Sequence, residues 1–462
     1  MTEKSPLFLK HSPIEIDIVN PFRADVAGSR LALANSLTWL ISEVPTPYVL
    51  AINSPWGTGK TTFMNMWAEL LCGEMETPQK IVAVKLNAWE SDFAEDPLVA
   101  FLDAIYEKAS ALTTKSHLKQ QLRKFKDAGK ALAKAVIPAA VKIGTMGGLD
   151  VDKEYEKIVA DTLGSGVKDA MERFTKEKSV IAKFRAALSD LAFAVRESSG
   201  GRLVCFIDEL DRCRPDYAVT ALERMKHIFG VEGIVFVLFV DKVQLGSSLQ
   251  HIYGAGLNDT EYLKRFIDNE CALPATDYDS VVSSLFVRYG IATSSRRSGE
   301  LDTLEGAFAV AAKVLELSLR SIEQCVAQLG IAMLSMPNKQ RVYPHLLGFL
   351  LALKSGKPRL YNEYLNGAID GIEVMEHFTA HPHGRALKSG RAGGLTELYL
   401  VSAMANNSIR EEIFARYRES MYDKTDEYHG IIVQCLSDQR NEFDLPTHDW
   451  LRRTLEYVGA FS

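Results

Sequence analysis

Short apolar runs recur through the first 275 residues, at 48–52, 81–86, 202–208, 233–241 and 271–274, and each predicts a strand. The runs at 202–208 and 233–241 are continuous rather than alternating, which is the pattern of strands covered on both faces of a parallel sheet. Helical spacing separates them. Leu31, Leu33, Leu37, Leu40 and Ile41 predict a helix over 29–43, stopped by Val44-Pro45-Thr46-Pro47. Further helices are predicted over 60–72 and 96–111. The interval 112–200 is too long for an ordinary strand-to-helix connection and reads as a helical insertion. Within it Leu118, Leu122, Phe125, Leu132 and Val136 form an apolar stripe. From about residue 277 onward only helical periodicity remains, with loops at 294–299 and 381–385. The expected organisation is an α/β core over 15–275, interrupted by the insertion 112–200, and a mostly helical C-terminal domain over 276–462.

Composition changes this picture little. Of 462 residues, 47% are hydrophobic and 24% charged, which excludes a disordered or fibrous chain. A net charge of −6 excludes a protein coated all over with nucleic acid, but not a local basic patch. The insertion carries one: Lys115, Lys119, Arg123, Lys124, Lys126, Lys130 and Lys134 are opposed by Asp127. A solvated helix face is the common meaning of such a run, and contact with membrane lipid or nucleic acid is the alternative. The six cysteines are scattered with no CxxC pair, so neither a zinc site nor a disulfide framework is expected. The first residues lack the apolar stretch of a signal peptide, and 135–149 is too short and polar to span a bilayer. A cytoplasmic protein, with membrane association resting on the basic segment, is expected.

The candidate chemistry is concentrated after three of the strands. Ser54-Pro55-Trp56-Gly57-Thr58-Gly59-Lys60-Thr61-Thr62 follows the first strand and opens a helix. It matches G-x-x-x-x-G-K-[ST] except that Ser54 stands in the first glycine position. Backbone N–H groups of such a loop wrap a polyphosphate, the lysine meets the β- and γ-phosphates, and the threonine hydroxyl meets Mg²⁺. The strand 202–208 ends in Asp208, a candidate Mg²⁺ carboxylate, followed at once by Glu209, a candidate general base. The strand 233–241 ends in Asp241, a residue placed to orient water or to cap the next helix. Arg212, Arg214, Arg265 and Arg320 are candidates to stabilise charge on a γ-phosphate, each weighed against a structural ion pair. Trp89 is expected in the core. His381 and His383 lack a third partner for a metal.

These segments resemble the KAP family of P-loop NTPases. The resemblance rests on Trp56 to Thr61, on Leu86-Asn-Ala-Trp-Glu90, and on Ile207-Asp-Glu-Leu-Asp-Arg-Cys-Arg-Pro215. It also rests on Asp241 with Tyr262-Leu-Lys-Arg-Phe-Ile-Asp268 and Leu273-Pro274, and on Arg320-Ser-Ile-Glu-Gln-Cys325. It implies an additional-strand P-loop fold with a parallel sheet, ATP and Mg²⁺ as ligands, and a polypeptide partner or effector, in a setting such as phage defence or signalling. Members with membrane spans carry them between the two motifs, where this chain has its insertion. Residues 54–62 would bind nucleotide, Thr61 and Asp208 the metal, and Lys60, Glu209, Asp241, Arg265 and Arg320 would serve catalysis. A hydrolysis-driven switch, a non-catalytic ATP-binding scaffold and a peripheral membrane organiser remain as readings; homo-oligomerisation is left open.

Overall fold

The computed structural model describes residues 16–25, 30–73, 80–94, 96–112, 116–137, 167–291, 298–335, 343–389, 391–419, 432 and 445–459. The chain divides into two compact units, one built on Ile14–Asp25 and Ser29–Pro274, the other chiefly on Ala275–Ser462.

The first unit holds a parallel sheet of five strands: β1 (Tyr48–Asn53), β2 (Lys80–Asn87), β3 (Gly201–Asp208), β4 (Ile234–Val240) and β5 (Asn269–Cys271), in the order β2-β3-β4-β1-β5. β4 therefore lies between the strand that feeds the glycine-rich loop and the strand that ends in Asp208. The continuous apolar runs have a direct cause here, because alternate residues face two different cores. Val204, Phe206, Val235, Val237 and Phe239 face one layer with helix α1 (Arg30–Glu43) and helix α2 (Lys60–Cys72). Leu203, Cys205, Ile207, Phe236 and Leu238 face the other. That second layer contains α3 (Leu98–Ala111), α4 (Ser116–Val136), α5 (Val167–Ser199) and α6 (Pro215–Arg224), which runs on as a π-turn over Met225–Phe229.

Aromatic rings carry both layers. Trp67 of α2 sits 4.9 Å from Phe206, and Phe206 is 5.5 Å from Phe239. The Trp67 indole N–H donates to Thr38 Oγ1 at 2.8 Å, which satisfies the polar edge of a fully buried ring and ties α2 to α1. Trp67→Ala is expected to cost about 3–5 kcal/mol, from the cavity and the lost bond to the Thr38 hydroxyl together, read as a drop in the chemical-denaturation midpoint. On the opposite face Phe101, Phe229, Phe184 and Phe125 stack in sequence, 5.1, 5.5 and 5.6 Å apart. This chain of rings locks the described part of the insertion onto the sheet. The predicted apolar stripe is what faces inward: Leu118, Leu122, Phe125 and Leu132 are buried. Most of 135–149 lies outside the described residues, and no described helix is long and apolar enough to cross a membrane.

The last strand is shifted from its expected place at 271–274. β5 ends at Cys271 because Leu273 N–H is taken by Ser54 Oγ at 3.1 Å rather than by a neighbouring strand. After β4 follow α7 (Lys242–Tyr253) and the short α8 (Asp259–Leu263). The second unit is helical throughout its described residues, α9 (Tyr278–Arg288) to α17 (His448–Gly459). Its central helix, α12 (Pro344–Gly356), buries every residue from His345 to Leu353.

Candidate functional site

The glycine-rich loop joins β1 to α2 at the C-terminal end of the sheet. Gly57 and Gly59 have φ of 79° and 85°, the left-handed region where a Cβ is strained, so these two positions require glycine. Ser54 departs from glycine without strain and gains a use. Its N–H donates to Val240 O at 3.1 Å, and its hydroxyl accepts from Leu273 N. The loop is thereby anchored to β4 and to the segment after β5.

Lys60 is buried, and its Nζ donates to Ser54 O at 2.6 Å and Pro55 O at 3.2 Å. Burial lowers its pKa, while the carboxylates of Asp211, Asp241 and Asp208 act in the opposite direction. Asp208 is almost fully buried. Its Oδ1 accepts from Glu209 N at 3.0 Å, and its Oδ2 has no hydrogen-bond partner among the described residues. Burial pushes the Asp208 carboxyl up to about 6, against the lowering influence of the Thr61 hydroxyl. An orphaned buried carboxylate oxygen beside a threonine hydroxyl is a donor set that suits a small divalent cation.

Glu209 occupies a left-handed backbone position, φ 60°, directly after the strand. Its carboxylate pairs with Arg212 Nη1 at 2.5 Å and accepts from Asn87 Nδ2 at 3.4 Å. Arg212 in turn lies over the Trp89 ring, 5.7 Å from its centroid. Trp89 is therefore not the core residue expected. It is 53% exposed, because Asn87 Oδ1 accepts from Trp89 N and Glu90 N and turns the chain outward at the end of β2. Asp241 is buried and caps α7, its Oδ1 accepting from Val243 N at 3.0 Å.

Three residues outside the expected set join the site. Asp211 is buried, and its Oδ2 accepts from both Trp56 Nε1 at 2.5 Å and Asp241 N at 3.0 Å. One carboxylate thus ties the apex of the phosphate loop to the end of β4. Arg30, at the start of α1 and 3% exposed, donates through Nη2 to Thr58 O at 2.6 Å and reaches Gly59 O at 3.5 Å. Asn87 is the third, through its bond to Glu209. Only Asn87 and Asp211 stood inside recognisable motifs; nothing in the spacing marks Arg30. Arg30→Met is expected to weaken nucleotide affinity about tenfold by removing charge-assisted support of the loop carbonyls. Titration with a fluorescent nucleotide analogue checks this, and an unchanged affinity would remove Arg30 from the site.

The remaining arginines divide. Arg214 is a structural clamp: its Nε donates to Asp92 Oδ1 at 2.7 Å and its Nη2 to Asp92 O and Ala94 O. Arg265 is exposed and lies over the Tyr262 ring at 5.2 Å. Arg320 belongs to the second unit, exposed on helix α11 (Leu319–Ser335). Thr61 and Thr62 open α2. His381 and His383 are ring neighbours, and no metal-holding cluster occurs among the described residues. A cavity of about 330 Å³ lies at the opposite end of the strands, lined by Glu43, Arg196, Arg202 and Glu232 among others. Its mixed charges and its distance from the loop separate it from this chemistry.

A parallel sheet with an extra strand between the loop-bearing strand and the acid-ended strand, and a lysine-tipped glycine loop opening a helix, defines a P-loop NTPase domain. The chain belongs to the KAP family: the KAP family P-loop domain matches residues 30–335. No curated protein matches it. Among solved structures the chain is similar to the Aeropyrum pernix ORC2 protein (ADPNP-ADP complexes), with 14% identity, 94% of each chain covered and a TM-score of 0.35. That likeness is too weak to transfer any property.

Proposed function

We propose that this protein binds ATP with Mg²⁺ and hydrolyses it by attack of water, using the change as a conformational switch. The observation that supports this best is the unpartnered, buried Oδ2 of Asp208 beside Thr61 and Lys60. Thr61 and Asp208 would hold Mg²⁺, which supplies charge neutralisation at the phosphates when bound. Residues 54–62 bind the nucleotide, with the N–H groups of 56–62 and the Lys60 ammonium orienting the phosphates. Glu209 takes a proton from the attacking water at its carboxylate, and Asp241 orients that water. To do so Glu209 must part from Arg212, and Asp241 must use the oxygen not engaged by α7. Arg265 and Arg320 are proposed as groups that stabilise charge on the γ-phosphate.

A second reading has its own support. With Glu209 engaged by Arg212 and Asn87, the described state suits a scaffold that binds ATP and turns it over negligibly. Phosphate release measured beside ATP binding separates the two, since binding without release favours the scaffold. The proposed setting is the cytoplasm, in defence or signalling, with a protein effector. Light scattering with and without ATP tests whether the chain self-associates.

A further inference from the structure

Helix α4 is the strongest charge feature that the nucleotide site does not use. Packing of its apolar stripe against α3 and α5 fixes which face looks outward. On that face Lys119, Arg123, Lys126, Lys130 and Lys134 are all exposed, at steps of four, three, four and four residues. Such steps fall along one side of a helix, so the five cations form a single file about 22 Å long at roughly 1.5 Å per residue. Lys124 is also exposed, but roughly 120° around the helix from the file. Asp127 is the acid of this helix; of the two helices packed against it, α3 exposes Asp103 and Glu107, and α5 exposes Glu172, Glu177, Asp190 and Glu197, the last 3.7 Å from His117 at the start of α4. Among the described residues Lys119, Arg123, Lys124 and Lys130 form no ion pair; Lys126 lies over the Tyr106 ring at 4.8 Å. In a chain of net charge −6 this is a local inversion of sign.

We propose that this ridge docks the phosphodiester backbone of duplex nucleic acid. Charge complementarity selects a polyanion. The exposed residues of α4 are polar apart from Ala131, and the apolar stripe that would enter a lipid boundary is committed to the core, so membrane insertion through this helix is disfavoured. Phe125 is buried, the Tyr106 ring lies under Lys126, and the exposed His117 stands at the start of the helix before the file begins, so the file itself offers no Phe, Tyr or Trp ring on which unpaired bases would stack. A straight file of cations instead matches the dense, regular charge of a duplex, contacting it without regard to sequence.

The test uses the full chain and a fluorescein-labelled duplex of roughly 20 base pairs, followed by anisotropy from about 50 to about 200 mM salt. Binding is expected, with log affinity falling against log salt with a slope of about −4, as four to five phosphates are neutralised. Joint substitution Lys119→Glu, Arg123→Glu and Lys130→Glu is expected to weaken binding at least about tenfold and to flatten the slope. The matching glutamine triple should fall between, and an unchanged unfolding temperature shows that the fold survives. Absence of duplex binding at the lowest salt, or full binding by a folded glutamate triple, overturns the proposal. So does capture by phosphatidylserine vesicles under conditions where the duplex is left free. The measurement needs no nucleotide turnover, so its outcome is independent of whether ATP is hydrolysed.

Discussion

Lys60→Ala is expected to weaken ATP binding by at least about 100-fold, a loss of about 2.7 kcal/mol, and to abolish any phosphate release. Two effects add. The ammonium that would meet the β- and γ-phosphates is gone, and its bonds to Ser54 O and Pro55 O, which brace the loop, go with it. The second effect is electrostatic. Asp208, Asp211 and Asp241 are buried around Lys60, and without that cation they confront an incoming polyphosphate with like charge. Lys60→Arg keeps the charge but not the compact head, and should recover only part of the affinity. Titration with a fluorescent ATP analogue reads both variants, with thermal unfolding as the control. A folded Lys60→Ala protein that binds ATP like the wild type would show that the loop is a turn and not a phosphate site.

Glu209→Gln should separate binding from chemistry. Glutamine keeps the shape of the side chain and its bond with Asn87, so ATP affinity is expected to stay within about threefold of wild type. Turnover is expected to fall by about 10²–10⁴-fold, the range for removing a general base. The expectation rests on position: Glu209 follows the Asp208 strand end at once, and its left-handed backbone presents the carboxylate to Arg212 and Asn87. Steady-state phosphate release, with wild type and Lys60→Ala alongside, is the measurement to make first. Equal turnover in wild type and Glu209→Gln would take the base role from Glu209. Wild type that binds ATP and releases no phosphate would favour the scaffold, with Arg212 as the group that holds Glu209 aside.

Much of the nucleotide site is written locally. The strand periods, the loop 54–61 and the acids at 208 and 209 lie in contiguous segments, and each follows from spacing, backbone freedom or strand termination. The helix over Lys60–Cys72 begins where the loop ends, because the left-handed Gly59 closes the loop and the next residues carry helical periodicity. The α4 stripe was legible for the same reason: amphipathic spacing names the face that must be buried.

What the tertiary structure alone decided involves partners remote in sequence. Trp56 meets Asp211 across 155 residues, Asn87 meets Glu209 across 122, and Arg30 reaches back from α1 to the loop across 28. No local pattern encodes such pairings; they exist because the order β2-β3-β4-β1-β5 brings separate strand ends to one rim. Ser54 is tolerated because Leu273 N–H comes to its hydroxyl, a contact made by β5 lying beside β1. Trp89, expected inside, is turned out by the Asn87 side chain and covered by Arg212. The sequence by itself determined the strands, the phosphate loop and the acids that follow, since those are short-range consequences of periodicity and backbone conformation. Which side chains brace the loop, hold the glutamate and leave a carboxylate oxygen free was decided only when the sheet assembled, because burial and hydrogen-bond satisfaction are properties of the packed molecule.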